Sequence, residues 1–404
     1  MRKWWSPFKK VWKFIVLLLL LLLTFSYAMF QGGFVSWFLF YSFLPFAIYS
    51  FALSFYSLSG IEVIRNIEKS TYNAGEPLRV MVTVKRRSSF PLFYLFIADQ
   101  LDDILMNTHQ QKKTKVLILP GFKKEFSFDY VIDKLPRGEH LFHSFTLKTG
   151  DLLGLIEKEV SYPIENKVIV YPAYTDLLYR PFENPFDQGM TASRERVQRD
   201  TSMAVGIRDY QPGDRFSWIN WKASAKRNEI MTKEFEQRQS HDVFLVMDCV
   251  PDKRFEAIVS FTASMQRAVL KKGARMGLLT VSDQRSFYPL GGGEKQQQLL
   301  LFHLAKIRAK ANASFDKVLE TEGLFVQQTV SFLLVTTQLT KSLIEKASFL
   351  GQRKGKITLF LIKGEKEAPT SAELSLIAMA NARGVRVIMV HEGDYAAAFS
   401  EVNF

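Results

Sequence analysis

Cysteine is almost absent from this chain of 404 residues, in which Cys249 is the only one. A single cysteine excludes an internal disulfide framework and is typical of proteins kept in a reducing compartment. The six histidines show no metal-ligand spacing, and no long low-complexity tract indicates disorder. Hydrophobic residues make up 47% of the chain and charged residues 23%, as in folded proteins. The chain is longer than a single hydrophobic core usually stabilises, which favours two soluble domains with extra segments.

Charge is missing from two stretches near the N-terminus, residues 14–30 and 34–58. A run of about 17 residues is just long enough to cross a bilayer, and about 25 residues can cross it with some tilt. Because helices satisfy their own backbone hydrogen bonds, the two stretches predict a transmembrane hairpin that turns at Gln31-Gly32-Gly33. A cleaved secretory signal ending near Ser26-Tyr27-Ala28 and a buried core helix are the alternatives. The length of the first stretch disfavours the signal, and the lack of a polar face disfavours the core helix.

Basic residues flank both stretches and are absent from the hairpin tip. They are Arg2, Lys3, Lys9, Lys10 and Lys13 before the first stretch, and Arg65 and Lys69 after the second. The positive-inside bias then places both flanks, and the soluble part of the chain, in the cytosol at the plasma membrane. Trp4, Trp5 and Trp12 predict an aromatic belt at the membrane surface.

The formal net charge of +13 raises the alternative of a nucleic-acid-binding protein. The basic clusters, such as Lys85-Arg86-Arg87 and Lys123-Lys124, are short and scattered, and no nucleic-acid motif accompanies them. An anionic cytoplasmic leaflet attracts the same residue types. We therefore expect the lipid bilayer, and no nucleic acid, as the partner of this charge.

Residues 61–172 alternate apolar and other side chains with a period near two. Such alternation is typical of strands that have one face in a core. Turn signals at 73–75, 120–121 and 135–138 separate the strands, so the pattern predicts a β-sandwich-like domain. The alternating residues are Leu78, Val80, Val82 and Val84 in one run, and Phe126, Phe128, Tyr130 and Ile132 in another.

Residues 173–238 are expected to be a linker followed by a segment dense in aromatic and charged residues. Pro212-Gly213 predicts a type II turn, in which glycine supplies the positive φ. Asp214 is expected to cap a short helix that carries two tryptophans and a lysine on one face. Those three residues are Trp218, Trp221 and Lys222.

Two interpretations of this segment are open. In the first, Arg208 and Lys222 form ion pairs with Asp209 or Asp214 while the Trp rings fill the seam between domains. In the second, the segment is a docking face for a partner protein, with the residue types enriched at interface hot spots. The candidate interaction residues are Arg208, Tyr210, Asp214, Trp218, Trp221 and Lys222.

Residues 239–404 alternate apolar strands with helical patterns. Alternation of this kind predicts a mostly parallel sheet wrapped by helices. The last helix begins at a capping box, Thr370-Ser371-Ala372-Glu373, and stops at Gly384. The predicted strands are 243–247, 276–281, 330–335, 357–362 and 385–390, and the other helices are 254–271 and a Gln-rich one through 299–304.

The runs GIRDYQPGD (206–214) and WINWKASAK (218–226), followed by a strand that ends on Asp248, resemble the bacterial family DUF58. TGDLLGLI (149–156) is similar to a signature of that family in part, because two leucines stand where Pro and Phe are usual. We interpret it as a structural turn. The resemblance implies a C-terminal von Willebrand factor A-like α/β domain and association with a MoxR-type AAA+ ATPase.

The resemblance also directs attention to the loop Asp248-Cys249-Val250-Pro251-Asp252. Cation-binding von Willebrand A domains carry Asp-x-Ser-x-Ser there, whereas here Val250 has no side-chain oxygen and Asp252 replaces the second Ser. Two carboxylates on one loop are hard ligands that suit Mg²⁺, so Asp248 and Asp252 are candidate metal ligands. The other interpretation is a metal-free turn in which Asp252 caps the following helix.

Enzymatic interpretations find little support. Cys249 beside Asp248 is a poor nucleophile, because a neighbouring carboxylate raises a thiol pKa. The run Gly351–Lys356 is one residue short of a phosphate-binding loop and precedes a strand instead of following one. The first hypothesis is therefore a membrane-anchored, cytosol-facing, non-enzymatic scaffold or adaptor. A divalent-cation-dependent binding domain is the second, and a hydrolase of envelope precursors is the third.

Overall fold

The computed structural model describes residues 5–101, 114–179, 204–212, 214–235, 242–322, 330–354 and 356–396. The chain divides into two compact units, Met1–Ala173 and Tyr174–Phe404. The second unit begins well before the predicted boundary at 239, because Leu177 and Tyr179 are buried in its core. Residues 174–179 are therefore not a linker. The rest of the expected linker, residues 180–200, lies outside the described residues.

Two apolar helices, α1 (Trp5–Gln31) and α2 (Phe34–Phe55), open the first unit. Gly32, in the turn between them, has a φ of 60°, which glycine adopts without strain. Each helix contains a segment long and apolar enough to cross a membrane. Most of their apolar side chains are exposed, whereas those of a core helix would be buried. Both predicted stretches are helical, although α1 begins before residue 14 and α2 ends before residue 58.

Two β-sheets form the rest of the first unit. The strands are β1 (Ile61–Ile67), β2 (Thr71–Asn73), β3 (Leu78–Arg86), β4 (Leu95–Leu101), β5 (Lys115–Ile118), β6 (Glu125–Ile132), β7 (Gly138–Gly150) and β8 (Glu157–Tyr171). The sheet orders are β1-β3-β6 and β2-β8-β7-β4-β5, and β2 with β8 is the parallel pair. Val80 and Val82 from one sheet share a core with Phe142 and Phe145 from the other. The predicted β-sandwich-like arrangement is thus confirmed.

A charged pair lies inside this sandwich. The Arg65 guanidinium donates to both carboxylate oxygens of Asp99, at 2.5 Å and 3.1 Å, and both side chains are buried. Burial raises the pKa of Tyr130, whose protonated hydroxyl donates to Asp99 at 2.6 Å. The guanidinium also donates to the Ile164 carbonyl and the Asn166 side chain. Arg65 is therefore a core residue of the sandwich, and its charge is not available to a membrane surface.

The second unit is built on a six-stranded sheet. Its strands are β11 (Val243–Met247), β12 (Met276–Val281), β13 (Arg285–Gly291), β14 (Ser331–Thr336), β15 (Ile357–Lys363) and β16 (Val385–His391), and a separate hairpin supplies β9 (Ala204–Asp209) and β10 (Met231–Phe235). The order is β13-β12-β11-β14-β15-β16, parallel throughout except for the β12–β13 pair. The mostly parallel sheet is as predicted. The antiparallel edge strand β13 was not predicted.

Helices cover both faces of this sheet. Leu245 and Met247 of β11 pack into one core, and Phe244 and Val246 pack into the opposite one. Because β11 is buried on both faces, it reads as a continuous apolar run, as central parallel strands do. The helices are α3 (Trp221–Arg227), α4 (Phe255–Lys271), α5 (Gly293–Lys306), α6 (Phe315–Glu322), α7 (Lys341–Lys354) and α8 (Ser371–Ala382).

We predict that Asp99→Ala strongly destabilises the full-length protein. The substitution leaves the Arg65 charge buried without its partner, a change that typically costs about 3–5 kcal/mol. Denaturant unfolding of the purified protein in detergent, followed by circular dichroism, measures the effect.

The control is Glu125→Ala, which breaks the exposed pair between Lys85 and Glu125 at 3.2 Å. Exposed ion pairs contribute about 1 kcal/mol or less, so this variant should unfold nearly like the wild type. Equal effects of the two substitutions would show that the buried pair does not stabilise the sandwich.

Candidate functional site

The carboxyl ends of β11 and β14 lie side by side in the middle of the large sheet. The chain winds from β11 to β12 on one side and returns to β14 on the other, so the strand order reverses between them. Open α/β sheets bind their ligands in the crevice outside such a reversal. Asp248 follows β11 directly, and Thr336 ends β14. Asp248, one of the two predicted metal ligands, therefore lies at the position where open α/β sheets bind ligands.

Asp248 is buried in this crevice. One carboxylate oxygen accepts from the Thr336 hydroxyl at 2.7 Å, and the other accepts from the backbone N–H of Val250 at 3.0 Å. Burial raises the pKa of Asp248 despite these two donors. The neighbouring Cys249 is buried, as predicted, and its thiol lies 3.6 Å from the Met247 carbonyl.

Asp252 is paired with a cation supplied by the chain itself. One carboxylate oxygen accepts from the backbone N–H of Arg254 at 2.8 Å and from its Nε at 3.2 Å. Burial opposes the ionisation of Asp252, but the hydrogen bonds from Arg254 outweigh it and lower the pKa of Asp252. The helix α4 has Arg254 as its N-cap residue. Asp252 therefore closes the turn before the helix and does not cap it, contrary to the metal-free interpretation.

Arg254 joins three strand ends of the sheet. Its guanidinium reaches a Glu367 carboxylate oxygen at 3.0 Å and the backbone carbonyl of Thr337 at 3.4 Å. The buried ammonium of Lys363, at the end of β15, contacts Glu367 at 3.2 Å and Glu373 at 2.5 Å. The charges of Asp252, Arg254, Lys363, Glu367 and Glu373 thus pair with one another.

The two candidate metal ligands do not fit a divalent cation in this arrangement. The oxygens of Asp248 face a hydroxyl and an amide, and those of Asp252 face the Arg254 guanidinium. Among the described residues, no group of three or more His, Cys, Asp or Glu side chains could hold a metal. Arg254, Lys363 and Glu367 were not predicted as site residues. In the sequence, Lys363 ends an apolar strand, and Arg254 and Glu367 lie in the segments that follow apolar strands.

The aromatic segment forms a small module of its own. The strands β9 and β10 pair antiparallel, with Asp209 opposite Met231. Between them lie a 3₁₀-helix, Phe216–Trp218, and the helix α3. We call residues 204–235 the signature hairpin.

An ion pair closes the loop of the signature hairpin. Arg208 donates to both oxygens of Asp214, at 2.8 Å and 2.7 Å, as one interpretation of the sequence predicted. Hydrogen bonds from Arg208 and from the Gln211 amide lower the pKa of Asp214 to about 2. The helix α3 is capped by Asn220, so the expectation that Asp214 caps it is wrong. The predicted turn includes Gly213, which lies outside the described residues.

Trp218 and Trp221 lie on different elements instead of one helical face. Trp218 is half-buried, and the Arg215 guanidinium lies 5.5 Å from its ring centroid. Trp221 is 68% exposed and Phe216 is 77% exposed. Of the other predicted interaction residues, Tyr210 is half-buried and Lys222 is exposed. Phe216 was missed because its spacing marks neither a strand nor a helix.

The first unit thus combines an apolar helical hairpin with a β-sandwich, and the second unit is built on an open, mostly parallel α/β sheet. The chain is 39% identical over 396 residues to the uncharacterized protein YeaD of Bacillus subtilis (strain 168). The aligned region covers 97% of this chain and 98% of that one. Residues 206–397 match the model of the family described as protein of unknown function DUF58. The chain belongs to the DUF58 family, as its sequence motifs indicated.

Solved structures are similar to parts of the chain. The SpRpn10 VWA domain matches with a TM-score of 0.30 and 15% identity, over 40% of this chain and 95% of that domain. The CARDB domain of a Pyrococcus furiosus protein, solved with di-metal ions, matches with a TM-score of 0.18 and 10% identity, over 27% of this chain and 86% of that one.

We predict that Asp248→Asn stabilises the protein at neutral pH. A carboxyl whose pKa is raised by folding contributes stability that is lost as the pH rises through the folded pKa. The Asn variant does not titrate and retains an oxygen for the Val250 amide. Its advantage should be absent below about pH 4 and grow towards neutral pH, by about 1.4 kcal/mol for each unit of the shift. Thermal unfolding between pH 4 and pH 8 measures it.

The control is Asp283→Asn, which removes an exposed carboxylate after the neighbouring strand β12 and leaves the crevice unchanged. An Asp248→Asn variant that is less stable than the wild type at pH 8 would contradict the prediction. If that loss appears only when Mg²⁺ is present, the cation-dependent alternative is supported instead.

Proposed function

We propose that this protein is a non-enzymatic scaffold or adaptor, anchored in the plasma membrane with its folded units in the cytosol. In this proposal it works with a MoxR-type AAA+ ATPase through direct protein contact. The family resemblance suggests the kind of partner, and the exposed aromatic side chains of the signature hairpin are the observation on which the proposal rests most.

The helical hairpin supports the membrane anchor. α1 and α2 present apolar side chains outward along most of their length, a surface that is stable in lipid. The hairpin tip, Gln31-Gly32-Gly33, carries no charge, whereas Lys13 directly precedes the first uncharged stretch. The positive-inside bias therefore favours a cytosolic location for the sandwich and for the second unit.

The signature hairpin supports docking of a partner. Trp221 and Phe216 are large, exposed side chains with few rotatable bonds, and such residues provide contact area at low entropic cost. Their backbone is fixed by the Arg208–Asp214 pair and by the Asn220 cap of α3. Because the module is ordered before binding, less free energy is lost on association.

The crevice supports a role without catalysis. Asp252, Arg254, Lys363 and Glu367 pair with one another, and the thiol of Cys249 is buried. A nucleophile needs an accessible side chain, and the buried thiol of Cys249 does not provide one. ATP-driven work is then done by the partner ATPase.

The alternative function, a divalent-cation-dependent binding domain, would use Asp248 and Asp252 with Thr336 or Thr337. The hydroxyl and carboxylate oxygens at this edge are the donor types that Mg²⁺ prefers. Cation binding there requires Arg254 to leave Asp252, since the two are within 3.2 Å. We therefore propose Mg²⁺ as a cofactor only for this alternative.

We predict that Trp221→Ala strongly weakens capture of the ATPase without unfolding the protein. Truncating a central aromatic residue at an interface commonly costs about 2 kcal/mol or more, which is about a thirtyfold loss of affinity. The measurement is co-purification of the full-length protein with the MoxR-type ATPase from native membranes, together with the melting temperature of each variant.

Phe349→Ala is the matched control, because Phe349 is also an exposed aromatic residue on a helix of the second unit. It should leave capture unchanged. Undiminished capture by a folded Trp221→Ala, Phe216→Ala double variant would contradict the docking role of the signature hairpin. Trp218→Ala is expected to lower the melting temperature as well, because its ring is half-buried.

The proposed orientation predicts the behaviour of C-terminal reporter fusions. Fusion to green fluorescent protein should be fluorescent and fusion to alkaline phosphatase inactive, because the first reporter requires the cytosol and the second requires the far side of the membrane. A fusion at Gly32-Gly33, in the hairpin tip, should give the opposite pair of results. An active phosphatase at the C-terminus would contradict the cytosolic location.

A further inference from the structure

Three loops of the β-sandwich emerge at the end where α2 enters. β1 starts soon after α2, and its first residue, Ile61, pairs with Arg86 at the end of β3. The neighbouring registers bring the loops that follow β3, β5 and β7 to the same end. These loops span residues 87–94, 119–124 and 151–156. We call them the proximal loops.

The last turns of α2 are held between these loops. The Ser50 hydroxyl donates to the Asp151 carboxylate at 2.5 Å, and the Tyr49 hydroxyl donates to the Pro91 carbonyl at 3.1 Å. Leu53 is completely buried in the core of the sandwich. Asp151 also accepts from the Ile156 amide, so the predicted structural turn at 149–156 is confirmed and in addition binds α2.

These contacts fix the depth of the proximal loops relative to the hydrocarbon core of the membrane. Residues 34–48 of α2 precede the contacts and measure about 22 Å at about 1.5 Å per residue. The hydrocarbon core of a bilayer is about 30 Å thick, so this part of α2 is too short to cross it alone. The loops that hold Tyr49 and Ser50 must therefore enter the inner leaflet if α2 spans the membrane.

The length of α1 gives a second measure of how deep the proximal loops lie in the membrane. The Lys13 ammonium donates to the Gly154 carbonyl at 3.2 Å. Residues 14–31 of α1 measure about 27 Å, which places Lys13 near the edge of the hydrocarbon core. Gly154, at the tip of the third proximal loop, lies at that edge with it.

The tips of the proximal loops have the surface that this depth requires. Five large apolar side chains there are between 43% and 75% exposed: Phe93, Leu119, Phe122, Leu152 and Leu153. Exposed basic residues, Arg87, Lys123 and Lys124, accompany them. At the opposite end of the sandwich, the described loops 68–77 and 133–137 expose no large hydrophobic side chain.

We propose that the proximal loops insert into the inner leaflet of the bilayer, with their apolar tips among the acyl chains and their basic side chains at the anionic headgroups. This inference rests on the proposed membrane anchor, and it adds a lipid-binding surface outside the two helices. Apolar tips ringed by basic residues are typical of proteins that bind at the membrane interface. The sandwich is then held against the membrane and does not move freely on a tether.

Spin labels on the full chain test the insertion. In a Cys249→Ala background, single cysteines replace Leu152 and Phe122, and the labelled protein is reconstituted into phosphatidylcholine–phosphatidylglycerol vesicles. Power saturation compares the accessibility of each label to oxygen, which concentrates in lipid, and to a water-soluble nickel chelate. We expect both labels to show an oxygen-to-nickel ratio several-fold above that of an aqueous site.

Two control positions make the outcomes distinguishable. Glu68→Cys labels the opposite end of the sandwich and should be aqueous, and Phe38→Cys labels the exposed face of α2 and should be in lipid. If labels at 122 and 152 match the one at 68 while the one at 38 is in lipid, the insertion is wrong and the anchor remains. If the label at 38 is aqueous too, the anchor itself fails.

Discussion

The last two turns of α2 are part of the apolar helical hairpin and also pack into the β-sandwich. The arrangement of the first unit depends on this shared packing. Leu53 is part of an apolar helix and also of the sandwich core, while the Ser50 hydroxyl is hydrogen-bonded to Asp151. A helix buried in the end of a sheet cannot rotate or tilt without breaking that core, because interiors are close-packed. The orientation of the sandwich is therefore set by the same contacts that end the helix.

Each unit contains a buried ion pair. Arg65 with Asp99 lies inside the sandwich, and Lys363 with Glu373 lies at the edge of the parallel sheet. Such pairs are weak evidence for stability, but a missing partner is strongly unfavourable, so each constrains which strands can be neighbours. Arg65 connects β1 to β4 and to β8, which ties together the two sheets of the sandwich.

The elements could be predicted from the sequence wherever a period was clear. The apolar run Val243–Met247 and the alternation at Leu78–Val84 identified strands, and the Thr370–Glu373 capping box is present as predicted. The contacts of the site were harder to predict from the sequence, because they join residues far apart in the chain. Arg254 binds Glu367, and Asp248 binds Thr336. Asp214 was assigned to the wrong partner because a bidentate arginine competed with the helix amides that it was expected to cap.

A guanidinium beside Asp252 changes what the crevice can recognise. A Mg²⁺ ion held by Asp248 and Asp252 would supply a positive charge to which a carboxylate could bind. Arginine has five N–H donors, and those of Arg254 already point at Asp252, Glu367 and the carbonyls of Ile362 and Thr337. An incoming carboxylate would have to displace an internal acceptor to bind there. Exposed apolar surface has no such internal competitor, and in the signature hairpin Trp221 and Phe216 are both exposed.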